Sequence, residues 1–238
     1  MGWWGGQIMK TTTTKNIFWG KSWASYKGDK ITGMDQFCTA YSGSNYAMTV
    51  DEYTGTNGAV GPVTTHLGHV VDTSAAASGN NYQAILNEVC KMIPNPVANG
   101  FYSVFTDRKR GHAQYCAWHD SGYCGNVLVQ IAFFWDLDGD SGCDPQSTVS
   151  GQSQGLAALA NVYAHEISEA RSDPHGDGWY DYYGNENGDK CAWTFNVPYV
   201  SLSDGSKWKL QGEWSNAAYL AGTGYPNDIG LGGCLDGH

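Results

Sequence analysis

A short polar segment in the second half of the chain carries residue types that bind metal ions. It is HEISE at residues 165–169, and the small and apolar residues before it predict a helix over 155–173. With about 3.6 residues per turn, His165 and Glu169 lie one turn apart on the same helix face. In an H-E-x-x-H helix, the two outer residues bind zinc and the Glu between them is the general base. Here the pattern is H-E-x-x-E, which predicts His165 and Glu169 as metal ligands and Glu166 as the base.

The residues after this helix offer further ligands. Glu186 and Asp189 follow in an acidic, aromatic, Gly-rich loop, at a distance where some zinc peptidases supply a third ligand. His175 lies ten residues after His165, but Ser172 stands where the longer zinc motif has a Gly for the turn. We therefore predict Glu186 and Asp189, rather than His175, as the additional ligands. The alternative is an ordinary amphipathic helix with a solvated His and two solvated Glu.

The chemistry of the ligands bears on which ion binds. The predicted set contains one imidazole and several carboxylates, and zinc accepts both. Each carboxylate that replaces a neutral His makes water on the ion less acidic, and it shifts preference toward harder ions such as Ca²⁺ or Mn²⁺. We predict Zn²⁺ as the ion, and expect metal binding more firmly than proteolysis.

A second acidic segment resembles the start of a calcium loop. Oxygen ligands alternate along residues 136–144, DLDGDSGCD, directly after an apolar run. The full EF-hand pattern is not met, because Ser141 and Ser147 stand at its sixth and twelfth positions. A solvated acidic turn explains the segment about equally well. The carboxylates of this possible Ca²⁺ site are Asp136, Asp138, Asp140 and Asp144.

Apolar periodicity predicts the elements that must position these residues. Besides 155–173, helices are expected over 29–42 and 80–93, and strands over 11–19, 45–53, 101–106 and 126–135. Residues 54–67 are predicted as loop or edge strand, and 196–200 and 207–211 as short strands. The result is an α+β fold: one zincin-like domain over residues 1–238. It would combine a mixed β-sheet, an active-site helix and a loop-rich, disulfide-stapled C-terminal part.

Charge and cysteine content limit the partners and the compartment. A net charge of −10 argues against nucleic acid and anionic membranes, and no apolar run approaches a membrane span. Seven cysteines without a C-x-x-C pair favour a secreted protein with up to three disulfides and one thiol left over. Free thiols in a reducing compartment are the alternative. The pairs guessed from spacing are Cys116–Cys124 and Cys143–Cys191. The first residues show no leader sequence, so secretion would need one outside this sequence.

Several stretches together resemble one family. In order along residues 5–220 they are GGQIMK, NIFWG, YCAWH, HEISEARSDP, GWYD and GNENGDKCAW. This series is similar to the phosphate-induced, EXORDIUM-like family of secreted plant proteins and their microbial relatives. The resemblance implies secretion, a disulfide framework and a growth- or nutrient-response role, without an assigned reaction. It also favours a functional role for His119 of YCAWH over a purely structural one. In a hydrolase, we predict His119 as a catalytic residue that stabilises the developing oxyanion.

Three functions are compatible with these residues. The first is a secreted, zinc-dependent, peptidase-like hydrolase that acts as a monomer on a peptide or a cell-wall polymer. The second is a non-catalytic extracellular module with a structural metal, in which exposed aromatic residues bind polysaccharide or peptide. The third is a glycoside hydrolase that uses Glu166 and Glu186 as paired carboxylates.

Overall fold

A five-stranded mixed sheet forms the centre of the molecule. The computed structural model describes residues 1–238 and contains four α-helices and fourteen strands, many of only two residues. The strands are β1 Gly2–Trp3, β2 Thr12–Trp19, β3 Thr54–Gly55, β4 Gly58–Ala59, β5 Thr64–Asp72, β6 Gly100–Lys109, β7 Ala117–Cys124, β8 Val127–Asp136, β9 Trp179–Tyr180, β10 Val200–Ser201, β11 Lys207–Trp208, β12 Glu213–Trp214, β13 Tyr225–Pro226 and β14 Gly232–Leu235. The central order is β5-β2-β6-β8-β7, with the first four strands parallel and β7 antiparallel to β8.

The helices cover both faces of this sheet. They are α1 Lys30–Tyr41, α2 Tyr82–Met92, α3 Gln154–Ser172 and α4 Asn216–Ala221. On one face Tyr163 of α3 stacks on Phe134 of β8 and meets Phe37 of α1 edge-on. On the other face, β8 carries Phe133, which packs beneath the segment leading into α2. Because both faces are buried, β8 is a nearly continuous apolar strand, as its sequence indicated.

The C-terminal part consists of short strands and loops. It contains the ribbon β10–β11 and the three-stranded sheet β12-β14-β13. One disulfide, Cys191–Cys234, joins the loop after α3 to β14. The predicted α+β domain with a disulfide-stapled C-terminal part is therefore confirmed at this level. No helix has the length and apolar content needed to cross a membrane.

The number of disulfides was predicted correctly, but both guessed pairs were wrong. Cys116 and Cys124 lie at opposite ends of the extended strand β7, which separates them by about 26 Å at about 3.3 Å per residue. Cys143 and Cys191 each bond to a different partner. The structure pairs Cys90 with Cys124, Cys116 with Cys143 and Cys191 with Cys234, and it leaves Cys38 buried and free.

Two further expectations need correction. The strand predicted at 45–53 is a short 3₁₀ helix, Ala47–Val50, because Ser44 caps the Ala47 N–H and Arg171 binds the Ala47 carbonyl. Strand β7 was not predicted, since AWHDSGYC contains few strand-forming residues and pairs along one edge only. The three long helices were each placed within two residues of their observed ends.

Candidate metal centre

Helix α3 positions the central residues of the cluster. Its N-terminus is capped by Ser153, whose hydroxyl accepts from the Leu156 N–H at 3.1 Å. Its C-terminus lies at Ser172, just before Asp173 and Pro174. Almost the whole helix is buried, because the loop at Gly188 and the segment at Gln211 cover the side that carries His165.

Glu169 is the residue around which the others meet. Its Oε2 lies 3.1 Å from His165 Nε2, one turn earlier on the same helix, and 3.5 Å from His119 Nε2. Its Oε1 accepts the backbone N–H of Asp189 at 2.9 Å. The side chain is almost fully buried, so both carboxylate oxygens are committed to the cluster.

His119 reaches the same point from the edge strand. It pairs with Ala132 of β8, two residues before Phe134, so it shares the sheet face on which α3 packs. Its Nε2 lies 3.1 Å from Glu186 Oε2. His119 was expected to stabilise an oxyanion. The structure places its Nε2 among the possible ligand atoms.

The loop after α3 contributes the remaining carboxylates. Asp189 Oδ1 lies 3.7 Å from His165 Nε2, and its Oδ2 accepts the Glu186 N–H at 3.1 Å. Gly188 allows this close approach, because a Cβ there would lie 2.8 Å from His165 Nδ1. The following turn is anchored by the disulfide at Cys191.

Two groups of residues satisfy the distance requirement for holding one ion. The first is His119, Glu169 and Glu186, and the second is His165, Glu166 and Glu169, with ligand atoms within 4.8 Å of one another in each. At about 2.1 Å from a tetrahedral ion, ligand atoms would lie about 3.4 Å apart. The observed N···O separations of 3.1 to 3.7 Å are close to that value.

The cluster holds more acidic than basic groups, and burial and mutual charge shift the pKa values of both kinds. Burial disfavours the ionised form, and it raises the pKa of Glu166 to about 7 and that of Glu186 to about 8. Burial alone would also raise the pKa of Glu169, but the flanking His165 and His119 lower it to about 2. The same contacts raise the pKa of both histidines well above its usual value, against the effect of burial. A bound divalent ion would displace the protons held here.

Glu186 supplies an observation that fits a ligand. Its Oε1 is buried and has no hydrogen-bond partner, whereas its Oε2 faces His119. An unpaired buried carboxylate oxygen is costly, and a cation would satisfy it. The imidazole and carboxylate atoms present are those that zinc accepts, so the residues fit such an ion.

Gln211 selects the tautomer of His165 when the imidazole is neutral. Its side-chain NH₂ donates to His165 Nδ1 at 2.9 Å, and its Oε1 accepts the Trp193 N–H at 3.1 Å. A neutral His165 then carries its proton on Nε2 and donates it to Glu169. For Nε2 to bind an ion, the proton has to move to Nδ1, and the Gln211 amide has to turn so that Oε1 accepts it.

A small cavity opens onto the cluster. It has a volume of about 210 Å³ and is lined by His119, Glu186 and residues 173–176. His175 lines the cavity but belongs to neither ligand group. Asp173 is turned away, because its Oδ1 accepts the Gly178 N–H at 2.7 Å. Glu186 belongs to one ligand group, whereas Asp189 belongs to neither, although its Oδ1 lies 3.7 Å from His165 Nε2.

The acidic loop 136–144 does not converge on one point. Lys30 binds both Asp136 and Asp138, at 2.9 and 2.7 Å, and the Arg110 guanidinium binds both oxygens of Asp140. Asp144 accepts the Gln146 N–H within its own turn. Because Lys30 and Arg110 occupy three of the four carboxylates, the arrangement disfavours the possible Ca²⁺ site.

Sequence reasoning missed Gln211 and the buried Glu213. Glu213 is fully buried behind the cluster, where its Oε1 accepts the Tyr46 hydroxyl at 2.7 Å. Burial raises its pKa well above the usual value. Both residues lie in β12 or just before it, and no spacing rule links them to the helix.

Comparison with known proteins gave no match. No protein family, no curated protein and no solved structure is detectably similar to this chain. The resemblance to the EXORDIUM-like family therefore stays a prediction, and the function has to be argued from the site itself.

Proposed function

We propose that this protein is a zincin-like, metal-dependent hydrolase of the peptidase type, secreted and acting as a monomer. The observation that carries the proposal is the position of Glu169, whose Oε2 lies 3.1 Å from His165 Nε2 and 3.5 Å from His119 Nε2. Glu186 Oε2 lies 3.1 Å from the same His119 atom, so two groups of possible ligands share Glu169. Asp189 lies at the margin of the same cluster. A mixed sheet beneath a buried helix that bears the H-E-x-x-E motif supports the zincin-like description.

A bound Zn²⁺ would act as a Lewis acid, polarising a carbonyl oxygen and making water more acidic. His165 and Glu169 would hold the ion, with Glu186, Asp189 or His119 completing the set. Glu166 lies beside both helix ligands, and its pKa near 7 suits a group that takes a proton from water and passes it on. Burial of these groups excludes bulk water and strengthens their electrostatic interactions.

The edge strand supports a peptide as the substrate. Strand β7 carries His119 and has a partner strand on one side only, although at Ser121 the N–H already donates to Asp120 Oδ1 and the carbonyl accepts the Tyr82 hydroxyl. Cavities of about 210 and 220 Å³ lie against it, and both include His119 and Asp120. An extended peptide added along β7 would pass the metal cluster with its scissile carbonyl nearby.

Secretion is supported by the covalent structure. Three disulfides staple the sheet edge and the C-terminal part, and disulfides persist mainly in oxidising compartments. An extracellular location also agrees with the resemblance to the EXORDIUM-like family.

The exposed aromatic residues favour a second candidate, a non-catalytic module that binds a cell-wall polymer. Trp4 stacks on Tyr180 with ring centroids 4.9 Å apart, and Tyr182 and Tyr183 are 87% and 86% exposed. Aromatic rings of this kind offer flat surfaces to sugar rings. The metal would then be structural. The glycoside hydrolase remains a third, untested prediction.

Two measurements separate these functions. Elemental analysis of protein purified without added metal is expected to show one transition-metal ion per chain. If no ion is found, both the metal-dependent hydrolase and the module with a structural metal are excluded. Digestion of a peptide library by the wild type and by Glu166→Gln then tests catalysis. We expect Glu166→Gln to retain the metal and lose at least about a hundredfold in rate. Equal cleavage by both proteins would exclude Glu166 as the base.

A further inference from the structure

The possible ligands around Glu169 form two sets rather than one. His119 Nε2 lies 3.1 Å from Glu186 Oε2 and 3.5 Å from Glu169 Oε2. On the other side, His165 Nε2 lies 3.1 Å from the same Glu169 oxygen. Neither of the two ligand groups contains both imidazoles, and Glu169 is the only residue that belongs to both. The cluster therefore offers two positions for an ion, one toward His165 and one toward His119.

Glu169 Oε2 is placed to bridge these two positions. An oxygen about 2.1 Å from each of two ions allows them to lie up to about 4.2 Å apart, which includes the separation of about 3.5–4 Å found in two-metal sites. The Glu169 side chain is almost fully buried, and its Oε1 accepts the Asp189 N–H at 2.9 Å. This hydrogen bond holds the carboxylate with Oε2 directed at both imidazoles.

The charge of the cluster favours two divalent ions. Its four carboxylates are Glu166, Glu169, Glu186 and Asp189, and no Lys or Arg side chain forms an ion pair with any of them. A histidine that binds a metal ion is neutral, so it adds no compensating charge. One divalent ion balances two of the four negative charges, and two ions balance all four. Buried charges that stay unbalanced are costly, so the second ion would remove a destabilising excess.

The position toward His119 faces the cavity over the cluster. His119 and Glu186 line this space of about 210 Å³, whereas His165 and Glu169 do not. An ion held by His119 and Glu186 would therefore lie between Glu169 and the space that a substrate can enter. It could reach the cluster from solution through the same opening.

We propose that the cluster binds two divalent metal ions, with Glu169 as the bridging ligand. This inference rests on the proposed metal centre, in which His165 and Glu169 hold the first ion. His119, Glu186 and Glu169 hold the second ion at the cavity. The second ion binds more weakly, because two doubly positive ions at this separation repel each other, so protein purified without added metal retains only the first. Paired ions of this kind clamp the attacking and leaving groups of a substrate.

The number of ions is tested by equilibrium dialysis of the full-length, disulfide-bonded protein against rising free Zn²⁺, with the metal per chain measured by elemental analysis. We expect saturation at two ions, the second with a dissociation constant at least about tenfold larger than the first. Saturation at one ion would overturn the second site and leave the proposed metal centre standing. It is the result expected if a protonated His119 only pairs with Glu186. Binding of no ion would overturn both.

Variants locate the second ion. Glu186→Gln and His119→Gln should each saturate at one ion where the wild type holds two. Loss of an outer partner of a ligand already costs about 10–100-fold in affinity, and loss of a ligand should cost at least as much. The retained first ion shows that each variant is folded. Asp120→Asn removes an exposed carboxylate outside both groups and should still hold two ions. Two ions in both Gln variants would place the second ion elsewhere and overturn the assignment.

Electron paramagnetic resonance with Mn²⁺ as the probe tests the bridge. One Mn²⁺ per chain should give the six-line spectrum of an isolated ion. Two ions about 3.5–4 Å apart are magnetically coupled, so the six-line signal should fall by at least about half when the second Mn²⁺ binds. A six-line signal that doubles with the second ion would place the two ions far apart and overturn the proposal.

Discussion

Replacing Glu169 by Gln should abolish most of the stabilisation that zinc confers. Glu169 belongs to both candidate ligand groups, and its Oε2 lies 3.1 Å from His165 Nε2 and 3.5 Å from His119 Nε2. A Gln of the same shape keeps an oxygen there but loses the charge that binds a cation. We expect at least a hundredfold weaker zinc binding, or about 2.7 kcal/mol at about 1.4 kcal/mol per factor of ten.

The expected effect on unfolding follows from binding linkage. At free zinc of about one hundred times the wild-type Kd, the ion stabilises the wild type by about 2.7 kcal/mol and a hundredfold weaker binder by about 0.4 kcal/mol. A chain of 238 residues changes its Tm by about 2–4 °C per kcal/mol. The zinc-dependent rise in Tm should therefore be about 5–11 °C in the wild type and about 1–2 °C in Glu169→Gln.

The assay is thermal unfolding by circular dichroism, with excess zinc and with a chelator for each protein. The difference between the two conditions is used, so any loss of stability common to both cancels. Asp120→Asn is the matched control, since it removes an exposed carboxylate next to His119 outside both ligand groups. Its zinc response should equal that of the wild type. A wild type with the same Tm in zinc and chelator, or an undiminished response in Glu169→Gln, would refute the metal centre.

Three other predictions follow from the structure. Gln211→Glu should raise zinc affinity about tenfold, because a carboxylate can accept from both the Trp193 N–H and the His165 Nδ1–H without turning. Competition for zinc with a chromophoric chelator measures this affinity, and unchanged or weaker binding would contradict the prediction. The zinc-dependent rise in Tm should be larger at pH 8 than at pH 6. Glu169 raises the pKa of His165 in the metal-free protein despite burial, so protons compete with the ion at low pH. Calorimetry should detect protons released when zinc binds. An equal zinc-dependent rise in Tm at pH 6 and pH 8 would count against His165 as a ligand. Replacing Cys191 and Cys234 by Ser removes a disulfide with a sequence separation of 43 and should lower the free energy of unfolding by about 4 kcal/mol. Urea unfolding measures this difference. A loss below about 1 kcal/mol would show that the C-terminal part is held by its packing alone.

The sequence by itself determined the local elements and the spacing of the candidate metal ligands on α3. The apolar periodicity of α1, α2 and α3 and the apolar run of β8 follow from burial, so their positions could be predicted without a structure. The one-turn spacing of His165 and Glu169 is fixed by helix geometry alone. The surplus of one cysteine over three disulfides also followed from counting.

Only the tertiary structure decided which distant residues join them. His119 is on an edge strand with a weak strand signal, and its position depends on antiparallel pairing with β8. Gln211 and Glu213 arrive from a C-terminal part that folds back over α3. Disulfide partners and the neutralisation of Asp136, Asp138 and Asp140 by Lys30 and Arg110 depend on such long-range contacts too. Sequence periodicity reports which face of an element is buried, whereas the partner that buries it is chosen by the packing of the whole chain.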